Sequence, residues 1–221
     1  MGLSPRRDDN SKMATEIATP ADAYTAFLAA WPAIAEECRS VWGSELHYQA
    51  MIYYALRTAG AVPRNQLGMN VKIWLEGTNT EYFEKRDKRK ASDFRGGFEP
   101  IPDMVILREE IAADWRRRNR AETAHCLLLA VEVKASERQD SRLQPGEIID
   151  DIEKLDAFRD ELKYRGTEMV PVMLVIDTAK DAAERMTEYS LNEVRDRALD
   201  LDVPFFYCGP DRCVVPEPGT A

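Results

Sequence analysis

Only two histidines, His47 and His125, and four cysteines occur in the 221 residues, and this scarcity removes whole classes of chemistry. The cysteines, Cys38, Cys126, Cys208 and Cys213, are too few and too scattered to form a disulfide framework for a chain of this length. Cys208 and Cys213 flank a turn-like GPDR, where they could approach one another or make half a zinc site, but no second close Cys/His pair completes one. There is no Walker loop, no GxGxxG, no HExxH and no internal repeat, so nucleotide-driven and zincin chemistries have no support. No window approaches the roughly 18 to 20 consecutive apolar residues that a membrane span needs. No apolar segment near the N-terminus reads as a secretion signal, and the expected location is the cytoplasm.

An excess of positive charge is missing too. Thirty Lys and Arg stand against 39 Asp and Glu, a formal charge of -9. Proteins that coat nucleic acid without specificity are basic, because phosphate neutralisation supplies most of that affinity, so a general coat is excluded. Positive charge is concentrated in two runs. One is KRDKRK, with Lys85, Arg86, Lys88, Arg89 and Lys90, and the other is RRRNR at 116–120. Each run has a plain reading as a solvated face; because both flank a strand beginning at Asp103, they are also placed to border a substrate groove.

What the chain has in quantity is apolar residues, 44%, enough for one compact domain with a core. The domain is expected over 19–215, with its central part at about 44–177, between polar tails at 1–18 and 216–221. Its centre is CLLLAVEVKAS, 126–136, an apolar run that reads as a strand buried on both faces yet ends in Glu132 and Lys134. Side chains alternate along a strand, so these two share one face while Val131 and Val133 take the other. Charged groups are costly at such a place unless paired, metal-bound or solvated. Upstream, FEPIPDMVIL supplies a second apolar strand that starts with Asp103 directly after Pro102. Two acids and a lysine converging on one sheet edge suit divalent-metal phosphodiester chemistry. Magnesium takes hard oxygen ligands, keeps several waters and is held by one or two carboxylates, here Asp103 and Glu132, with the Val133 carbonyl as an extra donor. Beside such an ion, the pKa of Lys134 is expected to fall. The plain alternative is an unrelated α/β protein in which Asp103 is a turn residue after proline and Glu132 and Lys134 are a solvated strand end.

Pro102-Asp103 followed by Glu132-Val133-Lys134 resembles the motif of the PD-(D/E)XK nuclease superfamily, the restriction-endonuclease-like fold. The resemblance covers about residues 44–177. It implies a central mixed β-sheet flanked by helices with an αβββαβ core, extended here by an N-terminal helix and C-terminal helix and strands. It further implies a Mg2+-dependent endonuclease, with Mn2+ as substitute, acting on DNA rather than RNA, with Asp103, Glu132 and Lys134 as catalytic residues. A glutamate on the first core helix often completes the metal site in this family, a role that falls on Glu45, whose plain reading is a helix-dipole partner. Lys154 occupies the range where family members carry a lysine or glutamine aimed at the site. Its plain reading is a solvent lysine paired with Asp150 or Asp151. Double-strand cutting in this fold implies two sites and hence a homodimer, and target choice would come from loops or a protein partner, as in a bacterial defence or DNA-processing system. A non-cutting member of the same fold that binds nucleic acid or protein is the alternative.

Along the chain, Thr19-Pro20 reads as an N-cap and first helical residue, with a kink or restart at Pro32. Ser44 caps a second helix ending at Gly60, with Tyr48, Ile52, Ala55 and Leu56 as its buried stripe. His47 and Gln49 are neighbours of Glu45 with weaker claims to the site. Residues 68–76 alternate as a strand, with Met69, Val71, Ile73 and Leu75 on one face. Residues 77–99 read as a long loop, 109–122 as a short helix and 147–166 as a long amphipathic helix with Ile148, Ile152, Leu155 and Leu162 buried. A strand at 170–177, a helix over 180–200 restarting at Ser190, and two short strands follow.

Overall fold

The protein is described by a computed structural model covering residues 16–88, 99–116 and 120–216. Its architecture is α/β: an open six-stranded mixed sheet with helices on both faces. The strands are β1 (Leu67–Met69), β2 (Met104–Leu107), β3 (Leu127–Ala135), β4 (Val170–Ile176), β5 (Phe205–Cys208) and β6 (Cys213–Val214), and they lie in the sheet in chain order. The first three pair antiparallel, β3, β4 and β5 run parallel, and β6 returns antiparallel. Parallel neighbours need long crossovers. Helix α5 (Pro145–Tyr164) makes the first and α6 (Glu188–Asp200) the second.

One face is covered by α1 (Pro20–Ser40) and α2 (Glu45–Thr58). Phe27, Trp31 and Ile34 of α1 and Tyr48, Ile52 and Leu56 of α2 meet Ile106, Val131, Val133, Leu174 and Phe206 of the sheet. The other face carries Val105, Ala130, Met173, Val175 and Tyr207 against Ile152, Leu155 and Phe158 of α5 and Leu191 and Val194 of α6. Strand β3 is thus buried on both sides, as its unbroken apolar run requires. Among the described residues no helix is long and apolar enough to cross a membrane.

Helix α1 starts at the predicted cap. Thr19 Oγ1 accepts from the Asp22 N–H at 3.1 Å, and the Asp22 carboxylate accepts from the Thr19 N–H at 3.0 Å, a reciprocal capping box. The helix does not restart at Pro32, which lies inside it. Pro32 and Leu28, whose carbonyl loses its donor, both lie on the exposed side, where water replaces the missing bond.

The stretch 68–76 departs from its predicted strand. Ladder bonding stops at Met69, because Asn70 takes a left-handed conformation with φ +50, which asparagine tolerates better than most residues. Met69 therefore packs on the α1/α2 side, while Val71, Ile73 and Leu75 enter the opposite core. The expected loop after it contains α3 (Glu81–Lys88). The helix expected over 109–122 is a single 3-10 turn, Glu109–Ile111, ended by left-handed Ala112 and Ala113, followed by α4 (Arg120–His125). Helix α6 begins at Glu188, capped by Thr187 whose hydroxyl accepts from the Ser190 N–H; the capping box expected at Ser190 lies already within the first turn.

Phe206 is the anchor of α1 on the sheet. Its ring lies 4.9 Å from both Phe27 and Trp31 and 6.5 Å from Tyr24, all in edge-on or tilted arrangements. Phe206→Ala is expected to cost about 3–5 kcal/mol. Urea unfolding followed by circular dichroism checks this: the midpoint should fall with an unchanged slope, and a loss below about 1 kcal/mol would show that α1 is held elsewhere.

Candidate active site

Strands β2 and β3 pair antiparallel with Met104 opposite Val131. One residue further, the register sets Asp103 beside Glu132. Both are buried, 7% and 6% exposed, although each carries a carboxylate. Asp103 is fixed from two sides: its Oδ2 accepts from the Val133 N–H at 2.7 Å and its Oδ1 from the Gln49 amide at 2.7 Å. Gln49 in turn accepts from the Asn70 side chain at 3.3 Å, and Asn70 donates its N–H to the Asp103 carbonyl at 3.0 Å. The left-handed turn at Asn70 thus serves to hold the acid.

Glu132 and Lys134 project toward α5 and meet its first turns. Lys154 Nζ stands 2.8 Å from Glu132 Oε1 and 2.7 Å from Asp151 Oδ1. Lys134 Nζ stands 2.8 Å from Asp151 Oδ2 and 3.9 Å from Glu45 Oε2 on α2. The charges therefore form an alternating chain, Glu45, Lys134, Asp151, Lys154, Glu132, with Asp103 beside its end. Past Lys134 opens a cavity of about 300 Å3, lined also by Ser136, Glu137, Arg138, Arg142 and Gln144. The rim is tied to α2, because Glu137 accepts from the Glu45 N–H at 2.8 Å.

Burial dominates the acidities. It pushes Glu132 up to about 7, against the pull of Lys154 and with Asp103 and Asp151 adding to the rise. Burial also raises Asp103, opposed by the Val133 N–H and by both lysines, and raises Glu45, opposed by Lys134. For Asp151 burial is overcome by Lys154 and Lys134, and its carboxyl lies below the usual range. Among the protein's own groups, desolvation acts downward on Lys134, but Asp151, Glu45 and Glu132 outweigh it and the amine is raised. Lys154 is raised likewise, by Glu132 and Asp151 against desolvation.

The structure brings five predicted residues together: Asp103, Glu132, Lys134, Glu45 and Lys154. Val133 joins them through its N–H to Asp103. The first basic run does not join them where it is described. Lys85 pairs with Glu81 at 2.6 Å and borders a cleft with Asp150, Glu153 and Asp156 on the outer side of α5. The side chains of Arg86 and Lys88, and the whole of Arg89 and Lys90, lie outside the described residues. Two contributors were undervalued in the sequence. Gln49 stood only as a weak neighbour of Glu45. Asp151 stood only as a partner for a solvent lysine, yet it falls between Ile148 and Leu155 on the inward stripe of α5, and an acid at that position is the signal that would have found it.

Among the described residues, no group of three or more His, Cys, Asp or Glu side chains forms a ready cation cage. The donor set nevertheless suits one hard divalent ion. Four carboxylates face two ammonium groups, so when all are ionised the cluster carries two uncompensated negative charges; the raised pKa values of Glu132, Asp103 and Glu45 come first from burial, and neighbouring carboxylates add to them. Two buried carboxylates with water filling the remaining positions is how magnesium is commonly held. No protein-family model matches the chain, and no curated protein or solved structure matches it either.

A raised carboxyl pKa means that the folded state holds the proton more tightly than the unfolded chain, whose Glu titrates near 4.5. The stability it contributes is complete below that value and is lost as pH rises to about 7. Relative to Glu132→Gln, the wild-type protein should therefore lose stability between about pH 5 and about pH 8. Urea titrations of both proteins at the two pH values test this. A constant difference would mean that Glu132 remains ionised throughout.

Proposed function

We propose that this protein is a divalent-metal-dependent nuclease of the PD-(D/E)XK, restriction-endonuclease-like class, hydrolysing phosphodiester bonds in DNA. The observation that carries this reading is the convergence of Asp103, Glu132 and Lys134 from two adjacent inner strands, with Lys134 lining a cavity beside them. The order α2, β1, β2, β3, α5, β4 supports it once α3, between β1 and β2, and the 3-10 turn and α4, between β2 and β3, are set aside as insertions, because helix, three strands, helix, strand is the core order of that class. Asp103 and Glu132 would hold the cation, with Glu45 and the Val133 carbonyl as additional donors. Bound there, Mg2+ supplies Lewis acidity toward the phosphate and lowers the pKa of an attacking water.

The remaining work falls to the chain itself. Gln49 and the Val133 N–H hold Asp103 in one orientation, so no reorganisation is needed when substrate arrives. Lys134, kept cationic by Asp151 and Glu45, offers N–H donors to a non-bridging phosphate oxygen and neutralises the charge that grows on it. Lys154 presents a second ammonium to the same region. Cutting both strands of a duplex needs two such sites, which a homodimer provides. A second reading, a non-cutting member of the fold that only binds nucleic acid, is favoured by one observation: Glu132 is already paired with Lys154.

Incubation of the full chain with supercoiled plasmid, linear duplex and single strands in Mg2+, Mn2+ and EDTA decides between these readings. Cutting should require the metal and fall on the order of 10²–10³-fold in Lys134→Ala, the loss typical of one preorganised charge-stabilising donor. Binding of the same substrates with no cutting in either metal would favour the second reading. Neither cutting nor binding would overturn both.

A further inference from the structure

We infer that Lys154 is an internal cation that competes with the divalent ion for Glu132, so that metal loading requires this ammonium to withdraw to Asp151. The inference rests on the metal-site reading given above. Its basis is the placement of one side chain: Lys154 Nζ is 2.8 Å from Glu132 Oε1, where it takes up one lone-pair direction of that oxygen and sets a like charge beside any ion bound to the carboxylate. A lysine ammonium and a magnesium ion both seek carboxylate oxygen, and in the same buried spot they repel each other strongly because little water screens them.

The route of withdrawal is already built. Lys154 Nζ also lies 2.7 Å from Asp151 Oδ1, one turn back on its own helix, and Asp151 is held at its other oxygen by Lys134 at 2.8 Å. When the ammonium leaves Glu132 it keeps a full ion pair, so the cost of metal entry is one exchanged contact and not a stranded buried charge. The cluster's two excess negative charges pass to the entering ion, and both lysines are then directed by Asp151 toward whatever anion approaches. Lys154 therefore sets how readily the cation binds. It is a positioning residue for the metal step, and Asp151 is the pivot that keeps it close.

Calorimetry with Mn2+ alone, on the full chain and without nucleic acid, tests this apart from any activity. Lys154→Gln and Lys154→Met should each bind Mn2+ about ten-fold or more tightly than the wild-type protein, as removal of a like charge beside a cation site requires. Lys154→Arg, which keeps the charge, should not, and neither should Lys163→Gln, an exposed lysine lost from the same helix. Adding Asp103→Asn to Lys154→Gln should abolish the gain, and circular dichroism confirms that each variant is folded. Equal or weaker binding by both uncharged variants, with wild-type binding still lost in Asp103→Asn, would overturn the competition and leave the metal site standing. No binding by any variant would overturn the metal site itself and the competition with it.

Discussion

The burial of two carboxylates on neighbouring core strands is the constraint around which this structure is arranged. An ionised carboxylate taken out of water is tolerated only where hydrogen bonds and opposite charge replace its hydration. The hydrogen bonds of Asp103 come from uncharged donors, the Val133 N–H and the Gln49 amide, with Lys134 and Lys154 acting on it only through space. For Glu132 the replacement comes from a single ammonium, Lys154. The difference is chemically meaningful. Neutral donors fix an acid in place without cancelling its charge, whereas an ammonium cancels the charge and can be exchanged for another cation.

Much of the fold is explained by the need to deliver those partners. Helix α2 must lie close enough to the start of β2 for Gln49 to reach Asp103, and the α1 platform, anchored on Phe206, places it there. Helix α5 crosses over the opposite face because β3 and β4 are parallel, and that crossover lays Asp151 and Lys154 over the end of β3. Buried ion networks seldom add net stability compared with apolar packing. Support of the fold is therefore a weak account of this network, and under the proposed reading its charges serve the chemistry at the site.

What could be read in the sequence follows from how local each cause is. The cap at Thr19, the buried stripe of α2, the doubly buried strand with Glu132 and Lys134, and the stop at left-handed Gly166 all depend on neighbours a few residues away. The misreadings depended on contacts from further off. Residues 68–76 alternate as a strand should, and Val71, Ile73 and Leu75 are indeed buried, but the turn at Asn70 is stabilised by Gln49 and Asp103, which no local pattern reveals. Lys154 was legible as pairing with Asp151; that the same ammonium also reaches Glu132 depends on the crossing of α5 over β3. For Asp151 the sequence offers only a place on the apolar stripe between Ile148 and Leu155; its two lysine partners come from the packing of α5 on β3.

Under the proposed nuclease reading, the charge of -9 has to be reconciled with a polyanionic substrate, and where the charges fall does so. Lys85 is spent on Glu81 in a cleft bordered by Asp150, Glu153 and Asp156, so that part of the first basic run forms no positive face beside the site. Positive charge near the site comes instead from Lys134 and Lys154 within the cluster and from Arg138 and Arg142 around the adjoining cavity, whose lining also includes Glu45, Glu137 and Glu147. On that reading, a cluster with two excess negative charges would repel phosphate until a divalent cation entered. With a divalent cation bound, the cluster would carry no net charge. Under the proposed reading, attraction for the substrate is thus conditional on the ion, and an acidic protein with an empty site has little affinity for nucleic acid it cannot cut.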